Sequence, residues 1–306
     1  MKSGVKVWIR IIDRFITKIQ RYGTAGERLG EFLAGIFLKK VSVDLNCGIT
    51  IFADLRERNW KKMSLNGTHE IEVEQFLKEY LKDGDVVADV GAQVGMVTVV
   101  SAKLVGEKGK VHSFEPDIYN FYNLKEAKEK NNLTNTILNN CAVGEKKSTL
   151  QFRRPSSGPM AYGAFEITKK QKKDDSLISE DKIINVSMIT LDEYSKENNL
   201  IFNLIKIDVD GPEFNVLKGS KNILSGANPP VLIVEVSQLY QDYEINYSDM
   251  HLFLSNLGYV IFVAPRMSLN VMKLERISDL PKESSDLFCF NPKFHNDRMK
   301  NVWFMK

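Results

Sequence analysis

The chain has 306 residues, enough for one enlarged α/β domain, or for one domain with a short appendage, around a substantial core. Its 42 Lys and Arg residues nearly balance 39 Asp and Glu residues, which argues against nucleic-acid binding driven by bulk charge. The cysteines are far apart with no C-x-x-C pair, and no signal-peptide pattern or apolar run of 18 residues occurs, so we expect a reduced, cytoplasmic protein without a membrane span.

The first predicted element is an amphipathic helix over residues 5–19. Its apolar residues follow helical spacing, and basic residues at 2, 6, 10, 14, 18 and 21 lie mostly off that stripe. Such a helix docks on its own domain or on a second subunit, or makes peripheral contact with an anionic membrane, and the sequence leaves these alternatives open. Residues 26–38 predict a second, packed helix. We therefore expect residues 1–40 to form a helical extension of a domain spanning residues 41–306.

The next elements are two short strands, VSVDL at 41–45 and ITIFAD at 49–54, whose intervening Asn46 and Gly48 predict a hairpin. A helix over Ile71–Leu81 follows, and strands then alternate with helices as far as DLFCFNP at residues 286–292. One of these helices is predicted over PEFNVLKGSKNIL at residues 212–224, with Pro212 at its N-terminus. This alternation predicts a doubly wound, mostly parallel sheet covered on both faces. The insert at residues 153–185, which contains RRPSSGP and KKQKKDD, is expected to be weakly structured, either as a solvated loop or as a substrate lid.

The most informative stretch is DVVADVGAQVG at residues 85–95. An apolar strand ends at Asp89, Gly91 and Gly95 follow, and about twenty residues later a second apolar strand ends on Glu115. This order is typical of a nucleoside-binding half-fold, in which glycines let the backbone approach the ligand and the acid accepts ribose hydroxyls. The G-x-x-x-G spacing and the acid at 89 disfavour a pyrophosphate. They favour S-adenosylmethionine, which carries an adenosine and an ammonium group but no phosphate.

A second polar cluster lies in LIKIDVDGPEFNVLKG at residues 204–219. Lys206, Asp208 and Asp210 alternate at the end of a predicted strand, so their side chains share one face. Charges on one face of a central strand are costly when buried, which suggests that they line a cleft. Because ligands of open α/β sheets bind at the carboxyl ends of strands, we expect both clusters at one edge of the sheet. A salt-bridged strand end without chemistry is the alternative.

The motifs also carry a family resemblance. In chain order they are THEIEVEQFL (68–77), DVVADVGAQVG (85–95), VHSFEP (111–116), NNCAVG (139–144), ITLDEY (189–194), LIKIDVDGPEFNVLKG (204–219) and PPVLIVEVS (229–237). Together they resemble the FkbM family of S-adenosylmethionine-dependent methyltransferases over about residues 65–292. The resemblance implies the class I (Rossmann-like) fold, a seven-stranded sheet with an antiparallel last strand. It also implies methyl transfer to a hydroxyl oxygen of a sugar, glycan or small metabolite.

The resemblance implies site residues as well. Asp208 matches the acid next to the transferred methyl, and Glu70, with Glu72 as its rival, matches an acid near the cofactor's amino-acid end. The other implied cofactor-binding residues are Asp89, Gly91, Gly95, Glu115, Asn140, Cys141 and Ala142. The chain departs from the family where Asp210 stands in place of glutamate, which shortens the reach of that acid, and where Gln93 replaces asparagine.

For the reaction, we hypothesise that Asp208 acts as general base or orients the acceptor, and that Lys206 gives electrostatic support. The role of Asp210 is left open. We assign no metal site, although a divalent ion held by Asp208, Asp210 and Glu235 is a competing scheme.

Two other classes of function compete with this interpretation. A nicotinamide-dependent oxidoreductase would use the same half-fold, but it would need phosphate contacts beside the glycines. A non-catalytic, membrane-associated scaffold would explain the N-terminal helix, but it would leave the polar strand end unexplained. The expected partner is a small-molecule or glycan acceptor and no nucleic acid, and the sequence predicts no oligomeric state.

Overall fold

The computed structural model describes residues 70–154, 182–236, 247–264, 274–278 and 285–299 without gaps. It also describes residues 165–166 and, before residue 70, residues 11–12, 14–16, 18–19, 29–30, 32–33, 36–38, 40–45, 48–55, 60 and 64. Every structural statement below concerns these residues.

The strands fall into three sheets. In chain order they are β1 (Val41–Asp44), β2 (Thr50–Ala53), β3 (Val86–Val90), β4 (Lys110–Phe114), β5 (Thr136–Asn139), β6 (Ala142–Val143), β7 (Ser148–Arg154), β8 (Phe165–Glu166), β9 (Lys182–Ile189), β10 (Leu204–Ile207), β11 (Val231–Val236), β12 (Val260–Val263), β13 (Glu275–Arg276) and β14 (Ser285–Phe290).

Helices separate most of the strands. They are α1 (Ile71–Tyr80), α2 (Met96–Val105), α3 (Ile118–Lys130), α4 (Leu191–Glu197), α5 (Glu213–Lys218), α6 (Lys221–Leu224), α7 (Tyr247–Asn256) and α8 (Pro292–Met299). The described residues from 11 to 19 are also helical, as are those from 29 to 37. No helix in the described part of the chain combines the length and the apolar character needed to cross a bilayer.

The central sheet has the strand order β13-β12-β14-β11-β10-β3-β4-β5. Strands β10, β11, β3, β4 and β5 pair in parallel, and β14 runs antiparallel to both β11 and β12. The predicted seven-stranded, doubly wound fold with a reversed last strand is therefore confirmed. The two-residue β13, antiparallel to β12 at the edge, is an addition to those seven strands.

Two apolar clusters cover the two faces of this sheet. Leu204 and Ile233 belong to one cluster, whereas Ile205 and Leu232, their neighbours along β10 and β11, belong to the other. This alternation follows from the two-residue period of a strand. All four residues of β10 are buried because helices cover both faces of a parallel sheet.

The predicted hairpin at 41–54 is confirmed, since β1 and β2 pair antiparallel. The predicted single helix after Pro212 is wrong, because α5 ends at Lys218 and α6 begins at Lys221. Gly219 lies at the break and close to the backbone of Gly144, since a Cβ atom at Gly219 would lie 1.9 Å from the carbonyl oxygen of Gly144.

A four-stranded sheet of order β6-β9-β7-β8 was not predicted. Its strands β7 and β9 extend into both ends of the 153–185 insert, which the sequence predicts to be weakly structured. Apart from Phe165 and Glu166, residues 155–181 lie outside the described part of the chain, so the lid interpretation stays a prediction.

Candidate active site

The candidate site is a cleft at the carboxyl ends of β3, β4 and β10. The chain runs from β3 to β4 in one direction along the sheet, and β10 lies on the other side of β3, so the strand order reverses there. Ligands of doubly wound sheets bind at such a reversal. The cleft contains a cavity of about 220 Å³ and a smaller one of about 30 Å³. Gly91, Gln93 and Asp208 line both cavities, so the two adjoin at these residues.

The glycine turn brings the end of β3 against the end of β10. Gly91 has a φ of +83°, and a Cβ atom there would lie 1.7 Å from the main-chain carbonyl oxygen of Asp208. Gly95 has a φ of +95°, and a Cβ atom there would lie 2.4 Å from Leu124. Glycine alone readily adopts this backbone conformation where no room is left for a Cβ atom. Both glycines therefore fix the shape of the turn, and Gly91 also lines the cleft.

Glu115 connects this turn to the tip of β4. Its Oε2 accepts a hydrogen bond of 2.8 Å from the Gln93 N–H, and its Oε1 accepts one of 2.8 Å from the Asp117 N–H. Burial raises the pKa of Glu115 to about 8, although these two bonds oppose the rise. Each carboxylate oxygen can accept a second bond, and Glu115 lines the larger cavity. The side chain can thus hold the turn and still bind ribose hydroxyls.

The NNCAVG segment lies along the same cavity. Cys141 and Ala142 line it, whereas the amide of Asn140 turns back and donates to the carbonyl oxygens of Glu115 (2.8 Å) and Pro116 (3.1 Å). Burial raises the pKa of the Cys141 thiol to about 11, so the thiol stays neutral. Asn140 therefore holds the segment in place without lining the cavity, whereas Cys141 and Ala142 line it.

The larger cavity also has an apolar wall that was not predicted from the sequence. Leu150, Phe152 and Met188 line the larger cavity and come from β7 and β9 of the second sheet. An apolar wall facing a polar edge suits a flat base attached to a sugar. Alternating apolar residues in the sequence STLQF are the signal that could have predicted β7.

The smaller cavity is lined by acids. Glu70 and Asp89 both line it, and Glu72, the rival of Glu70, lines neither cavity. The Thr98 hydroxyl donates a 2.5 Å hydrogen bond to Oδ2 of the buried Asp89. Burial raises the pKa of Asp89 to about 7, a rise that the Thr98 bond and the charge of Lys206 oppose. A cationic group placed in this cavity would stabilise the ionised form of Asp89.

Lys206 is buried in the floor of the cleft and is already paired. Its Nζ lies 2.8 Å from Oδ1 of Asp286 and 3.6 Å from Oδ2 of Asp208. Only 1% of the residue is exposed. Burial alone would lower the pKa of this lysine, but Asp286 and Asp208 hold it well above its ordinary value. The ammonium therefore stays charged, and the shorter of its two ion pairs is with Asp286, a residue that was not predicted from the sequence.

Asp208, Asp210 and Glu235 converge beside this lysine. Each contributes a carboxylate oxygen, and these oxygens all lie within 4.8 Å of one another. Burial raises the pKa of Asp210 to about 8 and that of Glu235 to about 11, and the nearby charge of Asp208 adds to both rises. So many acids in so small a space require bound protons or a cation. Their convergence alone does not identify which of these offsets the charge.

The turn that carries Asp210 is held by Glu213. The Oε1 of this buried acid accepts bonds from the N–H groups of Val209 (3.1 Å) and Gly211 (3.0 Å). Asp210 adopts a left-handed conformation with a φ of 57°. Asparagine tolerates this region well, so Asp210→Asn tests the charge without straining the backbone.

The raised pKa values predict how stability depends on pH. Asp89, Glu115 and Asp210 hold protons up to pH 7–8 in the folded protein but lose them near pH 4 when unfolded. The stabilisation is complete below pH 4 and is lost as the pH rises through about 8. We therefore expect the melting temperature to fall as the pH rises from about 6.5 to about 8, and to fall less steeply above pH 8, where Asp89, Glu115 and Asp210 are ionised in the folded protein as well. Buried His112 and His295, whose pKa values are lowered, affect stability only below about pH 6.5, where they become protonated in the unfolded chain.

The variant Asp210→Asn checks this expectation, because an amide has no proton to lose. Its melting temperature should fall less steeply between pH 6.5 and pH 8 than that of the unmodified protein. The exposed Asp249, replaced by asparagine, is the matched control and should leave the slope unchanged. Equal slopes in all three proteins would show that Asp210 is ionised in the free protein.

Comparison with known proteins agrees with the geometry. The family profile described as "Methyltransferase FkbM domain" matches residues 89–261, more than half of the chain. Hexuronic acid methyltransferase AglP from Haloferax volcanii is 28% identical over 180 residues, which cover 59% of this chain and 66% of that protein. Methyltransferase 1 from Beauveria bassiana is 25% identical over 147 residues, which cover 45% and 59%. The matched stretches thus span less than two thirds of either relative.

Among solved structures, an FkbM methyltransferase from Methylobacillus flagellatus is similar with 16% sequence identity and a TM-score of 0.41, covering 78% of this chain and 62% of that one. The profile match extends from the acid at the end of β3, through the glycine turn and the NNCAVG segment, to β12. The resemblance carried by the sequence motifs is therefore confirmed: the chain belongs to the FkbM family of methyltransferases, and its cofactor is S-adenosylmethionine.

Proposed function

We propose that this protein methylates a hydroxyl oxygen of a sugar, a glycan or another small hydroxylated metabolite. The observation that carries the proposal is the junction of the two cavities at Asp208, an acidic residue that lines both of them. The similarity to a hexuronic acid methyltransferase supports a sugar as the acceptor class. The family match leaves the nicotinamide-dependent alternative without support.

The residues of the cleft fit the cofactor. Glu115 would hold the ribose, and the apolar wall of Leu150, Phe152 and Met188 would cover the adenine. Asp89 and Glu70, in the smaller cavity, would hold the ammonium group of the amino-acid end. When bound, S-adenosylmethionine supplies a methyl group that its sulfonium has already activated for transfer.

The protein has three tasks in this reaction. Gly91 and the carbonyl oxygen of Asp208 set the distance between the two strand ends, so the acceptor is positioned by a rigid edge of the sheet. The Asp208 carboxylate takes the hydroxyl proton as the acceptor oxygen forms its new bond. Lys206 offsets part of the charge around Asp208 and is better described as a positioning residue than as a group that contacts the acceptor.

Transfer of label from methyl-labelled S-adenosylmethionine tests the proposal. The purified protein would be incubated with hexuronic acids, neutral hexoses and amino sugars, free and in glycans, and the products analysed by mass spectrometry. We expect a mass gain of one methylene on a sugar oxygen. Transfer only to nitrogen, or thermal stabilisation by NAD and not by S-adenosylmethionine, would overturn the proposal.

Removal of metal ions distinguishes the general-base mechanism from the competing divalent-ion scheme. Because Asp208 can accept the proton without an ion, we expect methyl transfer to persist after exhaustive dialysis against a chelator. The measurement is the initial rate before dialysis, after dialysis and after adding back Mg²⁺. Loss of the rate on dialysis with recovery on Mg²⁺ would instead show that Asp208, Asp210 and Glu235 hold an ion.

A further inference from the structure

Exposed apolar side chains concentrate in the N-terminal helical residues. Among the described residues, twelve large apolar side chains are exposed, and half of them lie between residues 11 and 37. Their exposed fractions range from 39% to 64%. These six are Ile11, Phe15, Leu29, Phe32, Ile36 and Phe37. Single exposed apolar residues are ordinary on a protein surface, but such a concentration in a short segment marks an interaction surface.

The first helical stretch has two different sides. Ile16 is 4% exposed and packs, with Ile12, into the apolar cluster on one face of the central sheet. Ile11 and Phe15, one turn apart, are 59% and 56% exposed. Arg14 and Lys18 are exposed as well, and residues 11, 14, 15 and 18 share one side at helical spacing. The outer side therefore mixes apolar and basic residues.

The second helical stretch repeats this arrangement. Leu33 packs against the same apolar cluster and Leu38 is buried in it. Leu29, Phe32 and Ile36, spaced by three and four residues, are exposed on the outer side. Both stretches thus pack on the domain through inner residues, and their outer apolar residues are exposed. We call the six exposed apolar residues, together with Arg14 and Lys18, the N-terminal face.

We propose that the N-terminal face binds the surface of an anionic lipid bilayer. The charge of the segment selects this partner, because residues 1–21 contain six Lys and Arg residues and one Asp, whereas the whole chain is nearly balanced. A basic face with aromatic and aliphatic residues suits the boundary between lipid headgroups and acyl chains. A second copy of this chain would place two basic segments against each other, which like charges disfavour.

Co-sedimentation with vesicles tests the proposal. The full chain would be mixed with vesicles of phosphatidylcholine alone, or of phosphatidylcholine with phosphatidylglycerol. We expect binding to the anionic vesicles that weakens with added salt, and little binding to the neutral ones. Arg14→Gln and Lys18→Gln should each weaken binding by about fivefold. The double variant Phe15→Glu, Phe32→Glu should weaken it by on the order of tenfold or more.

Ile201 provides the matched control, because it is 61% exposed and lies outside the N-terminal face. Ile201→Glu should bind vesicles as the unmodified protein does. Thermal unfolding of each variant checks that the fold is retained. If the double variant unfolds, the two glutamine variants still test the proposal, because they leave the apolar residues unchanged. No binding to anionic vesicles, or equal binding by the glutamine variants, would overturn the proposal. Self-association that the double variant abolishes, without vesicle binding, would instead assign the face to a second copy.

Discussion

Replacing Gly91 with alanine is expected to abolish binding of S-adenosylmethionine. The new Cβ would lie 1.7 Å from the carbonyl oxygen of Asp208, so the ends of β3 and β10 must separate. The hydrogen bond of 2.9 Å from the Asp208 N–H to the Val90 carbonyl oxygen joins these same strand ends and would be strained. Because Gly91 and Asp208 line both cavities, the movement displaces the walls of the entire cleft.

The size of the effect follows from this geometry. A displacement of about 1 Å in a site can cost about 100-fold in activity, and the overlap here demands a larger movement. We therefore expect at least a roughly 100-fold loss of cofactor affinity, measured by isothermal titration calorimetry.

Gly84 provides a matched control for the backbone strain. Its φ is +91°, close to that of Gly91, but a Cβ atom there would have nothing within 4 Å. Gly84→Ala should lower stability by about 1–2 kcal/mol, the cost of a left-handed alanine, and should leave cofactor affinity unchanged. If both variants bound the cofactor as the unmodified protein does, Gly91 would not form part of the cofactor site.

The predicted site residues that the structure brings to one edge of the sheet belong to local patterns. Asp89 lies near the end of β3, Gly91 and Glu115 directly follow β3 and β4, and the parallel order of these strands brings their ends together. Strand periodicity and turn chemistry act over a few residues and can be read from the chain. The edge of the sheet that holds the site was therefore predictable without coordinates.

The site residues that were not predicted from the sequence are placed by pairing between strands that are far apart in the chain. Asp286 reaches Lys206 because β14 inserts antiparallel beside β11, with Glu235 opposite Asp286. No local pattern specifies the register between strands about fifty residues apart. The approach of Gly219 to Gly144, at the break after Lys218, is also a contact between distant residues. Long-range register is thus the part of the site that required a structure.

The variant Asp208→Asn is expected to lower kcat by about 10²–10⁴-fold, the usual contribution of a general base. Asparagine keeps the shape of the side chain and the main-chain contact with Gly91, so the cleft should retain its form. The amide cannot take a proton from the acceptor hydroxyl. We therefore expect the affinity for S-adenosylmethionine to change little and the loss to appear in kcat, measured by initial rates of methyl transfer.

Asp286→Asn is the matched control for the effect on Lys206. Both acids contact the Lys206 ammonium, at 2.8 Å for Asp286 and 3.6 Å for Asp208, but Asp286 lines neither cavity. Because Asp286 makes the shorter ion pair with a buried lysine, its loss should cost more stability than the loss of Asp208. Its effect on kcat should be much smaller.

The two variants together distinguish a base from a residue that only positions the lysine. If kcat falls equally in both, the loss comes from a displaced Lys206, and Asp208 has no separate role in proton transfer. A general base also leaves a signature in the pH profile, because the rate should depend on its ionisation. In Asp208→Asn the acidic limb of the kcat profile should disappear, whereas Asp286→Asn should retain it. Retention of that limb in Asp208→Asn would assign the proton to another acid of the cluster, and Glu235, opposite Asp286 in the sheet, would be the next residue to replace.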